Sequence, residues 1–146
     1  MGYQRICVPL DGSLLAEYIL PQVEKIASAF ESEVTLLHVV PNDEVDCNTL
    51  TLSQKQTRAN VVRYLQAMED CLKKRGVKVR WSIRCGDPAE EIVWYVNEHH
   101  TNLVIMSTHG RGEAYQQVVG SVAAKVLEKV GIPIMLMKVP ENMARL

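Results

Sequence analysis

Short apolar runs alternate along the chain with longer stretches whose apolar residues recur every three or four positions. That is the pattern of βα units, in which each buried strand is followed by a helix that covers the sheet. The first run, RICVPL at 5–10, ends at Asp11-Gly12-Ser13. Residues 13–32 then have helical spacing, and Pro21 inside them predicts a kink or break, because proline lacks the amide that a helix interior needs. EVTLLHVV at 33–40 reads as a second, buried strand, and the polar, aperiodic residues 41–52 as a mobile surface loop.

A helical pattern returns over 53–76 and stops at Gly76, and VKVRWSIR at 77–84 alternates as a third strand. Asp87 as N-cap and Pro88 in the first turn open a third helix that runs to His100. TNLVIMS at 101–107 is nearly continuous in apolar residues, as a central parallel strand should be. A last helix begins at Ser121, read as its cap, with Gly131 past its end. IPIMLMKV at 132–139 is the last strand, and the tail 140–146 is expected to fray.

Five strands with helices between them imply an α/β fold: an open, five-stranded parallel sheet with two helices on each face, joined by right-handed crossovers. The whole chain, 1–146, reads as one domain, long enough to bury a core without disulfides or metals. Ligands on such sheets bind beyond the carboxyl ends of the strands, where the strand order reverses. The positions to search are therefore 9–13, 38–41, 84–87 and 106 onward.

Composition removes several classes of function. A net charge of -1 provides no field for a polyanion, so nucleic acid is not an expected partner. The one cation-rich stretch, Lys73 to Arg80, reads as a helix end favoured by the macrodipole and then a strand start. Cys7, Cys47, Cys71 and Cys85 make no C-x-x-C pair or ligand cluster, and Cys7 and Cys71 read as packing residues. With no signal-type segment and no spanning apolar run, the expectation is a cytoplasmic protein that does not enter a membrane.

The chemistry-bearing residues cluster after strand four. Gly110, Gly112 and Gly120-Ser121 supply the parts of a phosphate cradle: inward amides, no blocking side chains and a helix N-terminus behind. A plain strand-to-helix loop fits the same spacing. Asp11 and Ser13 could meet a ribose, or could only turn the chain and start a helix. His109 could be a general base, a phosphate contact or a packed loop residue; no paired carboxylates accompany it, which favours contact or packing. His38, His99 and His100 lack metal-ligand spacing. G-x4-G-K-[ST] is absent, as are the glycine-rich turn of ATP pyrophosphatases and the acid set of receiver domains.

Together, VPLDGS in strand one, TLLHVV in strand two, GDPAEEI before helix three, and Gly110 separated by nine residues from Gly120-Ser121 resemble the universal stress protein family. The resemblance runs over nearly the whole chain, from ICVPLDGS to PIMLMKV. It implies a Rossmann-like, adenine-nucleotide-binding fold with strand order 3-2-1-4-5, and ATP, or AMP or ADP, at the strand ends, with Mg accompanying ATP. Residue by residue, it implies that Pro9, Leu10 and Asp11 border the adenosine, with Asp11 on the ribose. Val39 would meet the adenine edge through its backbone, and Met106 and Ser107 would continue the wall. Gly110, Gly120, Ser121 and Val122 would wrap the phosphates, with His109 and Arg111 close by. It also implies a homodimer paired through the last strand, Ile132 to Val139, acting in stress response or signalling.

Three positions depart from the motif of the nucleotide-binding members. Ser107 replaces its first glycine, Glu113 stands where a glycine is frequent, and Gln116 where a basic residue is frequent. A carboxylate gained and a cation lost both oppose a polyphosphate. A nucleotide-free dimerisation module and a slow ATP hydrolase therefore stand beside nucleotide binding as alternatives.

Overall fold

The computed structural model describes residues 2–41, 52–109 and 119–138. In chain order these form β1 (Arg5–Pro9), α1 (Leu15–Phe30), β2 (Glu33–Val40), α2 (Leu52–Lys74), β3 (Lys78–Cys85), α3 (Pro88–Glu98), β4 (Leu103–Ser107), α4 (Ser121–Lys129) and β5 (Ile134–Met137). All strand pairs are parallel, in the order β3-β2-β1-β4-β5. Successive strand side chains point to opposite faces, so each strand divides its apolar residues between two cores. Ile6, Val8, Val34 and Leu36 pack under Ile19 and Val23 of α1 and Leu65 and Leu72 of α2. Cys7, Leu37, Val104 and Met106 pack under Ile92 and Val96 of α3 and Ala123 and Val126 of α4.

Several helix ends follow the sequence closely. The α2 terminus closes by Val77 N–H donating to Leu72 C=O at 3.1 Å and Gly76 N–H to Lys73 C=O at 3.0 Å, with Gly76 at φ +83°. This left-handed closure requires glycine's freedom, and it brings Val77 and Leu72 into the same core. At α3, the Asp87 carboxylate accepts from Glu90 N–H at 3.0 Å, and Pro88 occupies the first turn. No helix among the described residues is long and apolar enough to cross a membrane.

Other expectations are corrected. α1 runs through Pro21 without a break. The bond that proline removes would end on the Glu17 carbonyl, and Glu17 and Pro21 are both exposed, so the gap lies on the solvent side and leaves no buried carbonyl without a donor. The cap of α4 is Gly120, whose carbonyl accepts from Ala124 N–H at 2.9 Å; Ser121 is already the first helical residue. The other end of α4 is as expected: the helix closes at Lys129 with Val130 as an extended cap, and Gly131 lies past it. At α1, Asp11 accepts from Ser13 N–H at 3.0 Å, a local turn, while the cap position is Leu14 with no side-chain bond.

The cysteines also differ from expectation. Cys7 is fully buried, but Cys71 is exposed, sharing its side of α2 with the exposed Ala67, Lys74 and Arg75. Cys85 is disulfide-bonded. The expectations placed on residues 42–51 and on the tail from Val139 lie outside the described residues.

Candidate functional site

β1 is the shortest-paired strand at the carboxyl edge. Its pairing with β4 covers Ile6–Leu103 and Cys7–Val104, and its pairing with β2 stops at Pro9–Leu37. β2 continues against β3 to Val40–Cys85, and β4 continues against β5 to Ser107–Met137. A crevice therefore opens over the end of β1, between β2 and β4, at the point where the strand order reverses. It holds a cavity of about 520 Å³, a size suited to a small organic ligand. A second hollow, of about 400 Å³, lies at the amino ends of the strands among Gln4, Arg5, Glu31, Glu33 and Lys78. Its exposed charges are of both signs, and Glu33 there pairs with Arg80 at 2.6 Å.

Pro9, Leu10 and Asp11 form the floor of the larger cavity as the chain leaves β1. Gly12 follows at φ +84°, a left-handed turn that a side chain would strain. On the β2 wall, Leu37 C=O accepts from Leu10 N–H at 2.8 Å on the β1 side, and Val40 C=O accepts from Gly86 N–H at 2.9 Å on the β3 side. A parallel strand sends the amide and carbonyl of alternate residues to alternate sides. Val39 therefore turns its N–H and C=O toward β1, past the last β1–β2 pair and into the crevice. His38, buried beside it, also lines the cavity, and its Nδ1 lies 2.8 Å from Leu10 C=O. A carbonyl can only accept, so Nδ1 carries the proton.

The opposite wall comes from β4 and α4. Met106 and Ser107 line it, as do Gly120 and Val122. Thr108 ties this wall together: its N–H donates to Met137 C=O at 3.0 Å, and its C=O accepts from Gly120 N–H at 2.7 Å. The Gly120 amide is thus committed to the protein, and what this residue offers the cavity is its missing side chain. Ser121 is exposed at the start of α4 and, unlike Val122 and Ala123, is not part of the wall. The amides of Val122 and Ala123, second and third in the helix, precede the first residues with intrahelical acceptors. His109 is buried, its Nδ1 3.1 Å from Thr108 Oγ1, and its backbone C=O accepts from Ser107 Oγ at 2.9 Å. It lies outside the wall. Gly110, Arg111, Gly112, Glu113 and Gln116 lie outside the described residues.

Sequence reasoning missed the roof. Thr57, Asn60, Val61 and Tyr64 of α2 line the cavity, with Pro88 and Ile92 of α3. Spacings of three, four and seven along α2 put its four residues on one face, continuous with the core residue Leu65, and that periodicity was the available signal. Tyr64 Oη donates to Ser13 C=O at 3.2 Å. Burial raises the Tyr64 phenol well above its ordinary value, and the carboxylates of Asp11 and Glu17 raise it further. Among the described residues, no three His, Cys, Asp or Glu side chains converge as a metal site.

The comparisons with known proteins agree with this architecture. The sequence pattern of the universal stress protein family matches residues 2–138. Universal stress protein MJ0577 of Methanocaldococcus jannaschii is 27% identical over 154 aligned positions, covering 93% of this chain and 95% of the relative. A solved structure of MJ0577 superposes with a TM-score of 0.83 at 29% identity, over 97% of this chain and 99% of that one. A universal stress protein from Archaeoglobus fulgidus, solved in complex with dAMP, superposes with a TM-score of 0.70 at 19% identity, over 93% of this chain and 98% of that one. A further universal stress protein structure, a complex with cAMP, superposes with a TM-score of 0.73 at 18% identity, over 94% of this chain and 98% of that one. At those identities the last two show the shared fold alone. With the family pattern matched almost from end to end on a sheet ordered 3-2-1-4-5, the chain belongs to the universal stress protein family.

Proposed function

We propose that the cavity at the strand ends binds an adenine nucleotide, ATP or a close relative, and that the protein works as a homodimeric stress-response or signalling module whose nucleotide occupancy is read by partners. The observation that carries this reading is a convergence. Pro9, Leu10, Asp11, Val39, Met106, Ser107, Gly120 and Val122, far apart in sequence and each expected at a nucleotide from the family resemblance, all line one cavity. In this reading the outward-turned amide and carbonyl of Val39 meet the adenine edge and Met106 packs on the base. Asp11, exposed at the rim, accepts from the ribose. The first turn of α4 lies behind the phosphates, where the amides of Val122 and Ala123 and the helix dipole favour an anion. The cAMP and dAMP complexes of two proteins of the same fold support this class of ligand.

Charge refines the choice among nucleotides. Asp11 is the one formally charged side chain among the described residues of the wall. A monophosphate is therefore the least demanding ligand, and ATP is favoured when Mg²⁺, held by its own phosphates, offsets its charge. Calorimetric titration with AMP, ATP and ATP plus Mg²⁺ tests the reading, with Gly120→Val as the blocked site. Gly120 has φ -69° and ψ 168°, which valine tolerates, so the added side chain fills space without straining the backbone. The parent should release heat with at least one of the three ligands, and Gly120→Val should weaken that binding by about tenfold or more. No heat from the parent with any of them rejects nucleotide binding.

A further inference from the structure

The geometry points to His38 as a positioning residue that ends the β1–β2 ladder early and so keeps the backbone pair of Val39 available to read the edge of a bound base. This inference rests on the nucleotide reading above, and it concerns a side chain to which the family motif gives no role.

The argument starts from the register. In a parallel ladder the bonds are evenly spaced, each running from one strand to the next in turn. Between β1 and β2, the Leu10 N–H donates to Leu37 C=O at 2.8 Å. The next bond in that series would run back from Val39 N–H to Leu10 C=O. Instead, Leu10 C=O accepts from the His38 ring at 2.8 Å. The side chain of one residue thus supplies to this carbonyl the donor that its neighbour's amide would otherwise supply. A buried carbonyl needs a donor, and His38, a residue itself only 8% exposed, supplies one from its ring.

What is left in the crevice is a donor and an acceptor on one residue, side by side. Adenine presents the complementary set along its edge: a ring nitrogen that accepts and an amino group that donates. Hypoxanthine presents the reverse, a ring N–H and a carbonyl, so each group would face its like. Val39 in this state therefore selects adenine over hypoxanthine, and His38 maintains the selection through its hold on the Leu10 carbonyl.

Two variants and two readouts test this. His38→Leu removes the donor at about the same bulk, and His38→Asn places an amide N–H₂ near the position of Nδ1. Native circular dichroism and a cooperative unfolding transition serve as the folding check for both. In the parent, calorimetry should show AMP bound at least about tenfold more tightly than IMP. In His38→Leu that ratio should fall toward one, with IMP affinity retained, and His38→Asn should restore it. A merely structural role would weaken AMP and IMP together and leave the ratio unchanged, which would overturn the proposal.

The second readout needs no ligand. Amide hydrogen exchange at Val39 should be fast in the nucleotide-free parent and slower by about tenfold or more in His38→Leu, where the ladder can close onto Leu10. Equal exchange in the two proteins refutes the early-ending ladder. If the parent binds neither AMP nor IMP, the base-reading half is refuted together with the nucleotide reading, and the exchange result still decides whether His38 ends the ladder.

Discussion

The hydroxyl of Tyr64 donates to the carbonyl of Ser13 at 3.2 Å, joining the roof helix α2 to the turn in which Asp11 accepts from Ser13 N–H at 3.0 Å. One residue, Ser13, is therefore held from both sides, by its carbonyl to α2 and by its amide to Asp11. Tyr64→Phe keeps the ring and removes only the first bond. Loss of one part-buried hydrogen bond should cost about 1 kcal/mol and lower Tm by about 2–4 °C in a chain of this size. If Asp11 meets the ribose, a looser turn should also narrow the preference for AMP over 2′-deoxy-AMP. Calorimetry with both nucleotides reads this effect separately from stability, and an unchanged ratio would separate Tyr64 from the placement of Asp11.

Cys7 and Tyr64 make the protein sensitive to alkali in a stated direction. Burial pushes the Cys7 thiol from 9.0 up to about 12, and burial together with Asp11 and Glu17 raises the Tyr64 phenol above 10.0. Both groups are neutral when protonated, and the folded state holds their protons more tightly than the unfolded state. Their contribution is therefore fully present below pH 9 and is lost as pH rises from 9 toward 12, because the unfolded chain ionises first. Urea midpoints should fall from pH 9 to pH 11, and less steeply in Cys7→Ala. At pH 8 iodoacetamide should modify the exposed Cys71 and spare Cys7 until denaturant is added. Equal labelling of the two in the native protein would contradict the burial of Cys7.

Much of this architecture is written in local pattern. β1, β2 and β4 read correctly because strands buried on both faces are continuously apolar, and α3 because Asp87 and Pro88 act within one turn of each other. The errors share a cause: each depended on what lies beyond the local window. Pro21 is tolerated because its face of α1 looks outward, Cys71 is exposed because of the phase of α2, and the cap of α4 falls on Gly120, whose amide Thr108 holds, and not on Ser121. The same limit hid part of the site. The floor and walls came from strand ends, which a parallel sheet aligns automatically, whereas Thr57, Asn60 and Tyr64 reach the cavity only through the angle at which α2 crosses the sheet.

β5 gives the proposed homodimer a testable edge. It is the terminal strand next to β4, and its bonds to that neighbour leave from odd-numbered residues: Pro133 C=O accepts from Val104 N–H at 3.1 Å and Met137 C=O from Thr108 N–H at 3.0 Å. By alternation, Ile134 and Leu136 direct their amides and carbonyls away from the sheet. Of the expected interface, Ile132 to Lys138 are described, and Val139 is not. An edge of outward amides invites a second strand, and pairing with a copy of itself across a two-fold axis would satisfy both. Leu136→Pro removes one outward amide and leaves the bonds to β4 in place, so sedimentation should show a dimer for the parent and a shift toward monomer for the variant. Ile134→Lys, which puts a charge on the same strand without altering its backbone, should shift the equilibrium the same way. A folded Leu136→Pro protein that remains dimeric would place the interface elsewhere, and a monomeric parent would remove the dimer from the proposed function.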